Sequence, residues 1–157
     1  MTHGSSALHL SAFGLSDQTV VITGGTRGVG RGIAQRFVQA GGVQVLVNNA
    51  GGSPAADAAT ASPRFHAAII DLNLTAALHC AQRARKSMTA VSGVGRIINI
   101  ASTAGTRPAP RVAAYGAAKA GLLSLTRSLA VEWAPGIRVN AIVPGAVRTE
   151  QAATHVP

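Results

Sequence analysis

The chain has 157 residues, enough to bury one core but too few for that core and a separate substrate domain. No run of about 18 uninterrupted apolar residues occurs, so nothing reads as a membrane span, and a single cysteine excludes a disulfide framework or a cysteine-based zinc site. Fourteen basic against 5 acidic residues give +9, yet the arginines are scattered, no aromatics interleave with them and "RARK" at 83–86 is the only tight group. A solvated basic face is therefore favoured over a nucleic-acid or acidic-membrane surface. A phosphate-rich cofactor or an acyl carrier would also suit this sign of charge.

In chain order, "MTHGSSALHLSAFGLSD" lacks a basic leader, an apolar block and a small-residue cleavage site. Residues 1–14 read as a flexible arm, 15–157 as one domain, and the cytoplasm as the expected location. "TVVITG" at 19–24 is a β-branched run ending in glycine, the pattern of a strand buried on both faces. Val29, Ile33 and Phe37 then recur at helical spacing. "VQVLV" at 43–47 is a second buried strand, and "SPAADAATASP" at 53–63 a mobile surface loop. A helix is expected over 66–88 with Ile69, Leu72 and Ala76 on one side; Cys80 falls among its apolar residues and reads as a buried thiol. "RIINIAS" at 96–102 is a third strand, Ala113 to Trp133 a long helix, and "RVNAIVPG" at 138–145 a fourth strand. Strands alternating with helices predict an α/β fold with a parallel sheet covered on both faces.

Two groups of residues carry chemistry. Gly24, Gly28 and Gly30 stand between a strand and a helix, where glycine lets the backbone approach a pyrophosphate at the helix N-terminus. Tight strand-to-helix turns also use glycine for steric reasons alone. In "YGAAK", Tyr115 and Lys119 are spaced i, i+4 and share a helix face. An ammonium about 5 Å from a phenolate is worth roughly 3 kcal/mol at an effective dielectric of 20, enough to lower a tyrosine pKa by about 2 units. The alternative is an exposed surface pair. Ser102, thirteen residues earlier at the carboxyl end of a buried strand, favours the chemical reading, because ligands bind there in open α/β sheets.

Six stretches in order, "TGGTRGVG", "LVNNAGG", "LNLTAALHCAQ", "IINIAST", "AYGAAKAGLLSLTRSLAVEWAP" and "IRVNAIVPGAVRT", resemble the short-chain dehydrogenase/reductase family, in particular its 3-oxoacyl-[acyl-carrier-protein] reductases. The resemblance runs from about residue 15 to residue 149. It implies a Rossmann-type doubly wound parallel sheet and hydride transfer between nicotinamide and a ketone or secondary alcohol, with no metal. It implies Tyr115 as general acid/base, Lys119 on the nicotinamide ribose, Ser102 on the substrate carbonyl and Asn73 anchoring a water in a proton relay. Taken singly, Asn73 as a helix hydrogen-bonder and Ser102 as a strand-end cap are equally good readings. The cofactor loop would comprise Gly24, Thr26, Arg27, Gly28, Val29 and Gly30, with Asn49, Ala50 and Gly51 beside the adenosine ribose and Val147 against the nicotinamide. Arg27 resembles the residue that meets a 2′-phosphate, so NADP(H) is expected over NAD(H). Family members form homodimers or homotetramers through helices like those at 66–88 and 113–133, and Leu122, Leu125 and Leu129 suit either that interface or the core.

One stretch departs from the family pattern. Only 24 positions separate Gly24 from Asn48, fewer than the roughly 30 of one βαβ unit. The resemblance then implies that strands 2 and 3 are missing through a shortening near 41–43, and strand 7 through a shortened C-terminus, leaving the contiguous block 1-4-5-6. Joining the first helix to strand 4 on its usual face makes a left-handed connection, found in about 2% of cases. The escapes are a change of face for that helix, or "VQVLV" in the position of strand 2. The alternative to an enzyme is a catalytically inactive family remnant that oligomerises or binds a partner chain.

Overall fold

The structure, a computed structural model, describes residues 18–24 and 41–147. The expected arm, the helix carrying Val29, Ile33 and Phe37, the loop from Thr26 to Gly30 and the face of the first crossover all lie outside the described residues. Four parallel strands form the sheet: β1 (Gln18–Ile22), β2 (Gly41–Asn48), β3 (Gly95–Ile100) and β4 (Ile137–Ile142), in spatial order β1-β2-β3-β4. Because β2 sits between β1 and β3, "VQVLV" does not take an outer place beside β1. The order is the one expected of a contiguous block, and it is a Rossmann-like α/β arrangement.

The start of the β1–β2 ladder is irregular. Gln18 pairs with Gly41, Thr19 with Val43 and Val20 with Val45, after which the pairing runs residue for residue to Ile22 and Val47. Two residues on β2 thus oppose one on β1 twice in succession, as β-bulges do. The β3–β4 ladder, by contrast, runs from Gly95 and Ile137 to Ile100 and Ile142 without a shift.

Between β2 and β3 the chain forms α1 (Pro63–Ile70), a π-helical turn (Asp71–Thr75) and α2 (Ala76–Val91); between β3 and β4 it forms α3 (Ala113–Glu132). Ser62 caps α1, its Oγ accepting from Phe65 N at 3.1 Å, with Pro63 in the first helical position where its missing N–H costs nothing. The loop before it is held by Ala56 N donating to Arg111 O at 2.7 Å and by Ala61 N donating to Asp57 O at 2.9 Å. The π turn overturns the expected Ile69–Leu72–Ala76 stripe. One extra residue per turn rotates the following side chains, so Leu72 is 45% exposed while Asn73 is 1% exposed.

Helices α2 and α3 cover the same sheet face. Ala81 and Met88 of α2 and Leu129 and Trp133 at the end of α3 pack on Leu46, Ile97, Ile137 and Val139, and fully burying one such aliphatic side chain stabilises by roughly 1.5–3 kcal/mol. Leu122 and Leu129 are core residues, with Leu125 packed against the same cluster. The opposite face carries Val45, Val47 and Ile100, with Val20, Ile22 and Ile98 beside them. Val45, Leu46 and Val47 are all buried, as a strand covered on both faces should be. β1 is not so covered: Val21 points to the α2 side and is 49% exposed, because β1 is an edge strand and no described helix lies over it. Cys80 is only half-buried.

Candidate active site

Residues at the carboxyl ends of the strands come together through three separate sets of hydrogen bonds. At the end of β1, Thr23 Oγ1 accepts from the amides of Asn49 and Ala50, both at 3.0 Å. Asn49 Nδ2 donates back to Thr23 O at 3.2 Å, and Gly24 adopts φ +66° with the Ala50 Cα only 3.1 Å from where a Cβ would stand. The asparagine loop is thereby fastened to the turn that begins the glycine-rich segment. Of the expected cofactor loop, only Gly24 is described; Thr26, Arg27, Gly28, Val29 and Gly30 are outside.

Asn73, presented by the π turn, fastens the other end of that loop. Its Oδ1 accepts from Gly52 N at 2.9 Å, and its Nδ2 donates to Gly52 O and to Ile69 O, both at 2.9 Å. It does more than bond its own helix. Gly51 passes so close that an added Cβ would lie 2.5 Å from Asn73 Oδ1 and 3.2 Å from Lys119 Nζ.

The third set surrounds Lys119. The residue is 3% exposed; its ammonium donates to Ile100 O at 2.7 Å and stands 5.6 Å from the centroid of the Tyr115 ring. Burial pushes its pKa down from 10.5 to about 8, since a charge loses hydration there. It remains an ammonium at pH 7. Ser102, two residues past that carbonyl, is extended, and its Oγ accepts from Ala104 N at 3.2 Å, capping a 3-10 turn at Thr103–Gly105. The hydroxyl proton has no acceptor among the described residues. This turn lies flat on α3: Gly105 has Ala120 N and Lys119 C at 2.7 Å from a would-be Cβ, and Gly116 has Ala104 O at 2.9 Å. Small residues at these contacts let the Ser102 segment reach the helix that carries Tyr115 and Lys119. The loop bearing Val147, itself 46% exposed, is drawn to the same turn by Thr103 N donating to Pro144 O at 3.2 Å.

Sequence reasoning missed Thr23 and a buried polar chain beneath the site. Asn48 Nδ2 donates to Asn99 Oδ1 at 2.9 Å and Ala77 O at 3.1 Å, Asn99 Nδ2 to Thr126 Oγ1 at 2.9 Å, and Thr126 Oγ1 to Leu122 O at 2.7 Å. It links β2, β3, α2 and α3, with Asn48 Oδ1 left unpartnered. The signal was an asparagine inside the apolar run "RIINIAS", which a buried strand accepts only with partners.

These features suit a nicotinamide nucleotide, since Lys119 spends one donor on Ile100 O and keeps others. Among the described residues, no cluster of three metal-ligating side chains exists, and no helix is long and apolar enough to cross a membrane.

The short chain dehydrogenase family profile matches residues 38–156. A 2,3-dihydroxy-2,3-dihydro-p-cumate dehydrogenase of Pseudomonas putida is 38% identical over 146 residues, 92% of this chain and 55% of its own. Among solved structures, a 4-hydroxyisoleucine dehydrogenase complexed with NADH superposes with a TM-score of 0.77 at 26% identity, covering 86% of this chain and 78% of that one. An actinorhodin polyketide ketoreductase with NADPH gives 0.67 at 35% identity, covering 78% and 48%. The chain belongs to the short-chain dehydrogenase/reductase family. It spans about half the length, or less, of the curated relatives it matches.

Proposed function

We propose that this chain is an NADP(H)-preferring oxidoreductase that interconverts a ketone, such as a 3-oxoacyl thioester, and a secondary alcohol. The reading rests on one observation above all. Tyr115 and Lys119 share a face of α3, with the Lys119 ammonium 5.6 Å from the ring and hydrogen-bonded to the strand carbonyl two residues before Ser102. A nicotinamide held here would supply the hydride chemistry at the substrate carbon. The chain's residues do the rest. Ser102 donates its free hydroxyl proton to the carbonyl oxygen and orients it. In reduction, Tyr115 gives its phenolic proton to that oxygen as the new C–H bond forms; in oxidation it takes the proton back. Lys119 stabilises the phenolate that remains and offers its other N–H groups to a ribose hydroxyl. Asn73 holds the Gly51–Gly52 backbone against this corner and is assigned the anchoring of a water in the proton relay.

Arg27 supports the NADP(H) preference through the match of guanidinium to phosphate. Residues 15–157 are taken as one domain working in the cytoplasm as a homodimer or homotetramer, with a small carbonyl or alcohol as substrate. The test is titration of the chain with NADPH and NADH, followed by turnover of a model 3-oxoacyl thioester by the parent chain and by Tyr115→Phe. NADPH is expected to bind both proteins alike, while turnover falls by about 10²-fold or more in the variant. Equal turnover by the two proteins would remove Tyr115 from the chemistry.

A further inference from the structure

A cavity of about 400 Å³ lies away from the catalytic corner, between α2 and the face of β1 that carries Val21, and its described walls include Val21, Leu46, Cys80, Arg83, Ala84 and Met88. It shares none of its described lining with Tyr115, Lys119, Asn73 or Ser102. Two rows of α2 build it. Cys80, Ala84 and Met88 recur at i, i+4 and i+8 and face the sheet as an apolar wall; His79, Arg83 and Ser87 recur at the same spacing one position earlier and form a polar lip. Together the rows run along about 12 Å of helix at roughly 1.5 Å per residue. No acidic side chain is among the described lining, and Arg83 has no hydrogen-bond or ion-pair partner among the described residues. The other arginine of the basic cluster is engaged elsewhere, since Arg85 lies 5.3 Å over the Trp133 ring. Small-molecule sites have this composition and size: a mostly apolar trough with a few polar groups on one side to fix orientation.

We propose that this trough binds a medium-chain amphipathic anion, its alkyl chain along Val21, Leu46, Ala84 and Met88 and its carboxylate on the Arg83 guanidinium, with His79 and Ser87 as further donors. It is a separate site from the one that holds nicotinamide, and its test is independent of turnover.

Cys80 is the only cysteine of the chain and lines the trough, so its reaction with N-ethylmaleimide, a neutral electrophile, reports occupancy. Decanoate is expected to slow that reaction by about tenfold at ten times its dissociation constant, with calorimetric titration of decanoate reading the same binding without the thiol. Decanol is expected to protect less well. Arg83→Gln should remove the advantage of decanoate over decanol, and Ala84→Phe, which fills the trough, should remove protection by both while thermal melting verifies the fold. Absence of decanoate binding in the calorimeter overturns the proposal. So does equal protection by decanoate and decanol that Arg83→Gln leaves unchanged, since that describes a greasy groove without an anion site.

Discussion

Burying the Lys119 ammonium against the Ile100 carbonyl and the Tyr115 ring makes stability depend on pH, with a sign opposite to that of a lysine paired with a carboxylate. The folded pKa is about 8 against an ordinary 10.5. Below about 8 the amine is charged in both states, and desolvation weighs on the folded one in full. Between about 8 and 10.5 the folded chain releases the proton that the unfolded chain keeps, so stability rises with pH, by up to about 3 kcal/mol at 1.36 kcal/mol per unit. Urea midpoints at pH 7.5 and pH 10 should show this rise, and Lys119→Met should flatten it; a rise that survives in the variant would assign it to another group. The sequence made Tyr115, Lys119 and Ser102 legible because their spacing is local or tied to a strand end. Thr23 and the Asn48–Asn99–Thr126 chain were not legible, since these contacts exist only once β2 pairs with β1 and β3.

Among the elements, the Thr103–Gly105 turn and α3 are held at the closest backbone approach in the site. A methyl at Gly105 would meet helix backbone at 2.7 Å on both Ala120 N and Lys119 C, atoms that cannot move without bending α3. Gly105→Ala is expected to cost about 1–3 kcal/mol, as overpacked substitutions do, and to lower turnover further by shifting Ser102 relative to Tyr115. Gly145→Ala is the control, because nothing lies near its Cβ position; it should change the urea midpoint little. Equal midpoints for the two variants would mean that the turn yields freely. Element order was readable from apolar runs: β2, β3, α3 and β4 fall within a few residues of the expected positions. What periodicity missed followed from tertiary context. The π turn moved Leu72 outward and Asn73 inward, and the edge position of β1 left Val21 exposed although its sequence reads as a fully buried strand.

At the scale of the whole molecule, the +9 balance acts on stability even without a polyanionic partner. Arg83 and Lys86 are exposed within one turn of α2, and Arg127 and Arg138 are exposed on α3 and β4. Like charges on one helix turn repel, and a net charge this far from zero for a chain of this size works against the compact state. Salt screens such repulsion once the Debye length falls to about 10 Å, near 0.1 M. The urea midpoint at pH 7 should therefore rise as sodium chloride is increased from about 10 mM to about 200 mM and then level off, since the remaining separations are shorter than the screening length. Potassium chloride at equal ionic strength should give a matching curve, as screening alone requires. A midpoint that falls with chloride would instead mean that attractive pairs outweigh the excess of positive charge, and the basic face would then be part of the fold's stabilising structure rather than a load upon it.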